Sequence, residues 1–110
     1  WEGFVIEQIL ATLNLASISA EPYFFRTSDG IVADLLLDWA GERWAIEIKL
    51  TSNPTRTMIH GLQKAADLTE ASRRILLCKT EEEIRSEELL VTNLPNFLDE
   101  LMKKQGPLES

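Results

Sequence analysis

The sequence predicts an α/β (α+β) domain: a mixed β-sheet flanked by helices, in the order α-β-β-β-α-β-(β)-α. Three observations carry this reading. Apolar residues recur at three- and four-residue intervals in two stretches, near 4–15 and 56–70, the period of a helix with one buried face. Between them, extended stretches are punctuated by turn formers at Asp29-Gly30 and Ala40-Gly41-Glu42. A helix then separates the third strand from the fourth, which permits the crossover a parallel neighbour requires.

The first helix is read from Phe4, Val5, Ile9, Leu10 and Leu13, with Asn14 near its end as a residue that tolerates a left-handed cap. Tyr23-Phe24-Phe25-Arg26-Thr27 is aromatic and β-branched, as strands favour, and Asp29-Gly30 is a hairpin signal. Residues 31–39 form the second strand and 43–50 the third. Strict alternation in the third puts Trp44, Ile46, Ile48 and Leu50 on one face, and Arg43, Ala45, Glu47 and Lys49 on the other. Thr51-Ser52-Asn53-Pro54 closes the meander as a loop.

The second helix runs through Met58, Leu62, Ala65, Ala66 and Leu68. Gly61 interrupts it at about 1 kcal/mol relative to alanine, which suggests close packing against the sheet. Residues 74–79, centred on Ile75-Leu76-Leu77-Cys78, read as a strand buried on both faces. Glu81-Glu82-Glu83 reads as a solvated loop, Leu89-Leu90-Val91 as a last strand, and Pro95 as the opening of a helix that ends near Lys104. The expectation is one domain over residues 1–105 and a disordered tail over 106–110.

Composition bounds the function. A chain of 110 residues fits one domain, and 45% hydrophobic with 26% charged residues is ordinary for a soluble protein. The single cysteine excludes an internal disulfide, and no apolar run approaches the roughly 20 residues a membrane helix needs. Trp1-Glu2-Gly3-Phe4 lacks the basic start of a signal peptide, so a cytoplasmic protein is expected. The chain starts without methionine, inside an amphipathic pattern, and is expected to come from something longer. A net charge of −7 argues against a general nucleic-acid coat, though a carboxylate-rich metal site is itself negative.

The candidate chemistry lies on the second and third strands. Asp34 stands between Ala33 and Leu35 in an apolar strand, where a carboxylate is costly unless paired, metal-bound or solvated. Glu47 and Lys49 share one face of the next strand. Pairing around a turn near residue 41 brings Asp34 roughly opposite them. Two converging carboxylates repel, and Mg²⁺ (or Mn²⁺) resolves that repulsion, lowers the pKa of a bound water and stabilises charge on a scissile phosphate. Lys49 could orient that water or offset transition-state charge.

Asp34, followed by Glu47-Ile48-Lys49 on the next strand, resembles the PD-(D/E)xK nuclease superfamily with its restriction-endonuclease-like core. More closely, Trp1-Glu2-Gly3-Phe4-Val5-Ile6-Glu7, Phe25-Arg26-Thr27-Ser28-Asp29-Gly30, Asp34-Leu35-Leu36-Leu37 and Ala45-Ile46-Glu47-Ile48-Lys49 resemble the C-terminal domain of uncharacterised prokaryotic AAA-type ATPases. The resemblance covers about residues 1–79. It implies Asp34 and Glu47 as metal ligands, Lys49 as catalytic lysine and Glu7 as an additional acidic residue, with Gln63 or Lys64 as a further polar group. It also implies DNA as substrate and an N-terminal ATPase region as partner. Ala33 stands where the motif's proline would be, and no Walker motif lies in these residues.

Other readings stand beside these. Glu47 and Lys49 can be a solvated strand face, Glu7 an exposed helix residue, and Asp34 with Lys49 a buried ion pair in a fold without turnover. His60 reads as a surface or packing residue, Cys78 as a core thiol, and Trp1, Trp39 and Trp44 as core packing rather than base-stacking groups. Three functions follow: a metal-dependent phosphodiesterase acting on DNA, a binding module that docks the ATPase to nucleic acid or protein, or an interaction domain that forms an oligomer.

Overall fold

The computed structural model describes residues 1–16, 19–26, 32–39 and 41–104. Its elements are α1 (Glu2–Leu15), β1 (Glu21–Arg26), β2 (Val32–Trp39), β3 (Glu42–Ile48), α2 (Arg56–Thr69), β4 (Arg73–Leu77), β5 (Ile84–Arg85), β6 (Leu89–Thr92) and α3 (Leu94–Lys104). They build one six-stranded sheet in the order β1-β2-β3-β4-β6-β5. β1, β2 and β3 pair antiparallel, β4 joins β3 and β6 joins β4 in parallel, and β5 returns antiparallel on β6. The mixed sheet flanked by helices is therefore as the sequence predicts.

Two apolar layers hold the sheet. On one face, Val5, Ile9 and Leu13 of α1 and Phe97 and Leu101 of α3 pack on Leu35, Leu37, Trp44, Ile46, Ile48, Ile75 and Leu77. On the other, Leu62, Ala65 and Ala66 of α2 pack on Ala33, Leu36, Ala45, Leu76, Cys78 and Val91. Alternation along β3 and β4 distributes these residues, and burial of each large side chain contributes about 1.5–3 kcal/mol. Small alanines on α2 let one helix lie close over the centre of the sheet. No helix among the described residues is long and apolar enough to cross a membrane.

Several local expectations change. α1 starts at Glu2, and Ala16 caps it in right-handed conformation, so Asn14 stays inside the helix. β3 ends at Ile48, leaving Leu50 63% exposed rather than in line with Trp44, Ile46 and Ile48. Phe4 and Leu68 are also exposed. Gly61 is exposed, and a Cβ there would meet nothing within 4 Å, so close packing does not explain it. Gly41 does have a backbone reason, a φ of +81° in the β2–β3 turn. The Asp29-Gly30 turn and the 106–110 tail lie outside the described residues.

Glu81, Glu82 and Glu83 are exposed in a loop, as expected, and the last of them is also tied to the fold. Glu83 accepts a 2.6 Å hydrogen bond from the buried Thr92 hydroxyl, and Arg85 bridges Glu83 and Glu100. These contacts give the two-residue β5 a place at the sheet edge. α3 opens at Asn93, whose side-chain oxygen accepts from Asn96 N at 2.9 Å, while Pro95 sits in the first turn. Thr55 caps α2 in the same way, accepting from Met58 N at 3.2 Å.

Candidate functional site

The parallel strands β3, β4 and β6 all end on one side of the sheet, where β2 begins. The connections that leave there carry Lys49, the Ser52-Asn53-Pro54 loop, Cys78-Lys79-Thr80 and Asn93. Ligands of open α/β sheets characteristically bind outside the carboxyl ends of parallel strands. The backbone stitches these connections together: Lys49 N donates to Leu77 O at 2.9 Å, Cys78 N to Thr92 O at 2.9 Å, and Lys79 N to Thr51 O at 2.6 Å.

A bulge places Asp34. Tyr23 pairs with Leu36 but Phe25 with Ala33, so two residues of β2, Asp34 and Leu35, oppose one of β1, Phe24. Ala33 and Leu36 consequently both pack beneath α2, a spacing that strict alternation forbids. Asp34 lies in this irregularity, beyond the Leu35↔Ile46 pair of β2 and β3. Its Oδ2 accepts from Ile48 N at 2.8 Å, standing in for a main-chain acceptor at the end of β3. Asp34 is thus satisfied by a backbone amide. The buried Asp34–Lys49 ion pair is not what the structure shows.

Lys49 instead pairs with Glu47, Nζ to Oε2 at 3.3 Å; the Glu47 side chain is 12% exposed and that of Lys49 44%. Burial pushes the Glu47 carboxyl above its ordinary pKa. Lys49 opposes this through its charge and hydrogen bond, and the charges of Asp34 and Glu2 add to the rise. Glu47 therefore holds a charge that its surroundings disfavour, which is the electrostatic condition a cation would relieve.

The first helix supplies Glu2 rather than Glu7. Desolvation raises the Glu2 carboxyl's pKa, the charge of Asp34 and a hydrogen bond with it raise it further, and Lys49 partly compensates. Glu7 is exposed. The helical period explains the difference. At about 100° per residue, Glu2 lies near the line of Val5 and Ile9, whereas Glu7 falls on the opposite side. The signal was present in the sequence, but starting the helix at Phe4 hid it. Gln63 and Lys64 are exposed on α2.

Among the described residues, no three His, Cys, Asp or Glu side chains converge closely enough to hold a metal ion by themselves. The donor set present is two carboxylates, Asp34 and Glu47, with Glu2 against Asp34. Mg²⁺ is ordinarily held by one or two carboxylates, several waters and substrate phosphate, so this set fits that ion better than a closed protein cage.

Three aromatic residues divide by location. Trp44 is buried, 5.0 Å from Trp39 and 6.3 Å from Phe97 between ring centroids, as core packing predicts. Trp1 is not in the core: it is 41% exposed, and Lys79 Nζ lies 5.6 Å from its ring centroid. Cys78 is a buried core thiol and His60 an exposed helix residue, as expected. At the far end of the sheet, Arg43 forks onto Asp38 at 2.6 and 2.8 Å and donates to Thr69 O at 2.9 Å, tying the β2–β3 hairpin to the end of α2.

Fold and cluster together define a three-layer α/β domain with a carboxylate–lysine group at the ends of its parallel strands. The chain belongs to the family described as a domain of unknown function, DUF4143, which matches residues 1–97. It is similar to the uncharacterized protein Rv2008c of Mycobacterium tuberculosis, 31% identical over 110 residues, covering 94% of this chain and 24% of that protein. The uncharacterized protein Mb2031c of Mycobacterium bovis matches with the same identity and coverage. The chain thus spans about a quarter of the length of these curated relatives. No solved structure matches it significantly.

Proposed function

We propose that this domain is a Mg²⁺- or Mn²⁺-dependent phosphodiesterase unit acting on DNA, carried C-terminal to an ATPase region in the longer protein. The observation that carries the reading is the meeting of Asp34, Glu47 and Lys49 at one end of the sheet, in the order that resembles the PD-(D/E)xK nucleases. The other observation in its favour is a length relation: relatives about four times as long leave room for an ATPase.

Asp34 and Glu47 would hold the ion. Once bound, it would supply Lewis-acid stabilisation of a phosphoryl oxygen and a more acidic water. The chain's own groups do the positioning. Ile48 N–H fixes Oδ2 of Asp34 and so orients the carboxylate. Lys49, paired to Glu47 yet 44% exposed, can swing its ammonium toward a phosphate when the ion takes over Glu47's charge. Glu2 keeps a proton more readily than a free carboxyl and can hold Asp34 in place by a hydrogen bond.

A second reading, a nucleic-acid or protein docking module without turnover, is favoured by one observation: Lys49 already neutralises Glu47. A nuclease assay on the full-length protein with Mg²⁺ or Mn²⁺ separates them. The phosphodiesterase reading expects cleavage that EDTA, Asp34→Asn and Lys49→Ala each abolish. Cleavage that survives both substitutions, or no cleavage with either ion, overturns it.

A further inference from the structure

Residues 48–66 carry Lys49, Arg56, His60 and Lys64 and no aspartate or glutamate, in a chain whose net charge is −7. The segment leaves the end of β3 and enters α2. Glu47 lies two residues beyond Ala45 on β3, so it is on the sheet face that α2 covers. α2 begins at the end of the sheet where Asp34, Glu47 and Lys49 meet, and runs away from them.

Arg56, His60 and Lys64 follow one another at four-residue spacing, about 6 Å apart along the axis and on one side of the helix. All three are exposed. Among the described residues neither Arg56 nor Lys64 is in an ion pair, whereas Arg43, Lys49, Arg74 and Arg85 each are. The first acidic residue of α2 is Asp67, in its last turn, so the positive face is confined to the part of the helix nearest the cluster.

Two local choices work against the helix itself. Its first turn holds no acidic residue, and Arg56 sits there, at the positive end of the helix dipole, where a cation is disfavoured. Gly61 stands in the helix interior, where glycine weakens a helix, one turn after Thr57 and one turn before Lys64. It is exposed, and a Cβ there would meet nothing within 4 Å. No contact within the fold explains either residue. An anion lying along this face explains both: it offsets the charge of Arg56, and the missing side chain lets it approach the helix backbone beside Lys64.

We infer that this face of α2 binds the phosphate backbone of a nucleic acid and leads it to the Asp34–Glu47–Lys49 cluster; this rests on the reading that the cluster cleaves phosphodiester bonds. Phosphates are a line of anions, and Arg56, His60 and Lys64 are a line of donors to match it. The contact is short, because the net negative charge of the chain opposes wrapping of a longer stretch.

The test is binding of labelled duplex DNA and of one of its strands to the full-length protein, by fluorescence anisotropy in EDTA across a salt series. Arg56→Gln and Lys64→Gln are each expected to weaken binding and to lower the log–log salt slope, by about 0.9 on the duplex or about 0.7 on the strand. Lys103→Gln, an equal charge change on the exposed surface of α3, should leave the slope unchanged. Gly61→Ala should weaken binding while melting no lower than the parent, which separates lost approach from lost fold. His60 should react with diethylpyrocarbonate in the free protein and be protected by DNA, read by mass spectrometry. Slopes indifferent to Arg56→Gln and Lys64→Gln, an equal loss with Lys103→Gln, unchanged affinity in Gly61→Ala, or no binding at all overturns the assignment. So does a His60 already protected in the free protein, because another part of the protein then covers this face. Binding is read without a divalent ion, so the two readings fail separately. A protein that binds DNA through α2 yet never cleaves defeats only the phosphodiesterase reading. One that cleaves, but whose binding ignores Arg56→Gln and Lys64→Gln, defeats only this assignment.

Discussion

Asp34 has a structural duty that any functional test must separate from its chemical one. Its Oδ2 receives the Ile48 amide at 2.8 Å, and Ile48 is 4% exposed, so water cannot easily replace the acceptor. A hydrogen bond to a charged group contributes about 1.5–3 kcal/mol, and a buried donor left without a partner costs about 1–3 kcal/mol. Asp34→Ala removes the acceptor but also removes a carboxylate that raises the pKa of Glu47 and Glu2, a partial gain. The expected net loss is about 1–3 kcal/mol. For a domain near this size each kcal/mol lowers Tm by about 4–8 °C. Asp34→Asn keeps an oxygen for Ile48 and relieves the same repulsion, so it should unfold within about 1 kcal/mol of the parent. Urea unfolding of the three proteins, with hydrogen exchange at the Ile48 amide, measures both effects. Equal stability of Asp34→Ala and Asp34→Asn, with Ile48 protection unchanged, refutes the structural role. This contrast makes Asp34→Asn the proper catalytic null, because its loss of activity would not reflect unfolding.

Glu47→Gln should stabilise the domain above the acid range. The folded carboxyl has its pKa raised, chiefly by desolvation, so the native state binds the proton more readily than the unfolded chain. Parent stability therefore falls as pH rises from the ordinary value of 4.5 through the raised one. The Glu47→Gln advantage should be near zero at pH 4 and full at pH 8 in thermal melts. A parent that is the more stable at pH 8 would contradict this. Gly61→Ala should add about 1 kcal/mol, since the position is helical, exposed and open to a Cβ; chemical denaturation showing destabilisation would mean that an unseen neighbour occupies that space.

What the sequence by itself determined is every element but β5 and, for most of them, the face that is buried. Those depend on short-range rules: the alternation of Arg43 through Lys49, the helical recurrence of Val5, Ile9 and Leu13, the turn at Gly41, and the helix that permits β3 and β4 to run parallel. The neighbourhood of Asp34, Glu47 and Lys49 followed from the same rules, because a hairpin register is local. Tertiary structure decided what local rules do not reach. The β2 bulge turned Asp34 onto the Ile48 amide, and Lys49 took Glu47 rather than Asp34 as its partner, because the lysine lies two residues along the same chain. The true start of α1 put Glu2, itself exposed, beside Asp34 and left Glu7 away from it, a matter of where a helix docks on a sheet. β5 found its edge through Glu83, Thr92 and Arg85, contacts between segments too distant in sequence for periodicity to register. Trp1, read from the sequence as core packing, is 41% exposed, with Lys79 Nζ 5.6 Å from its ring centroid.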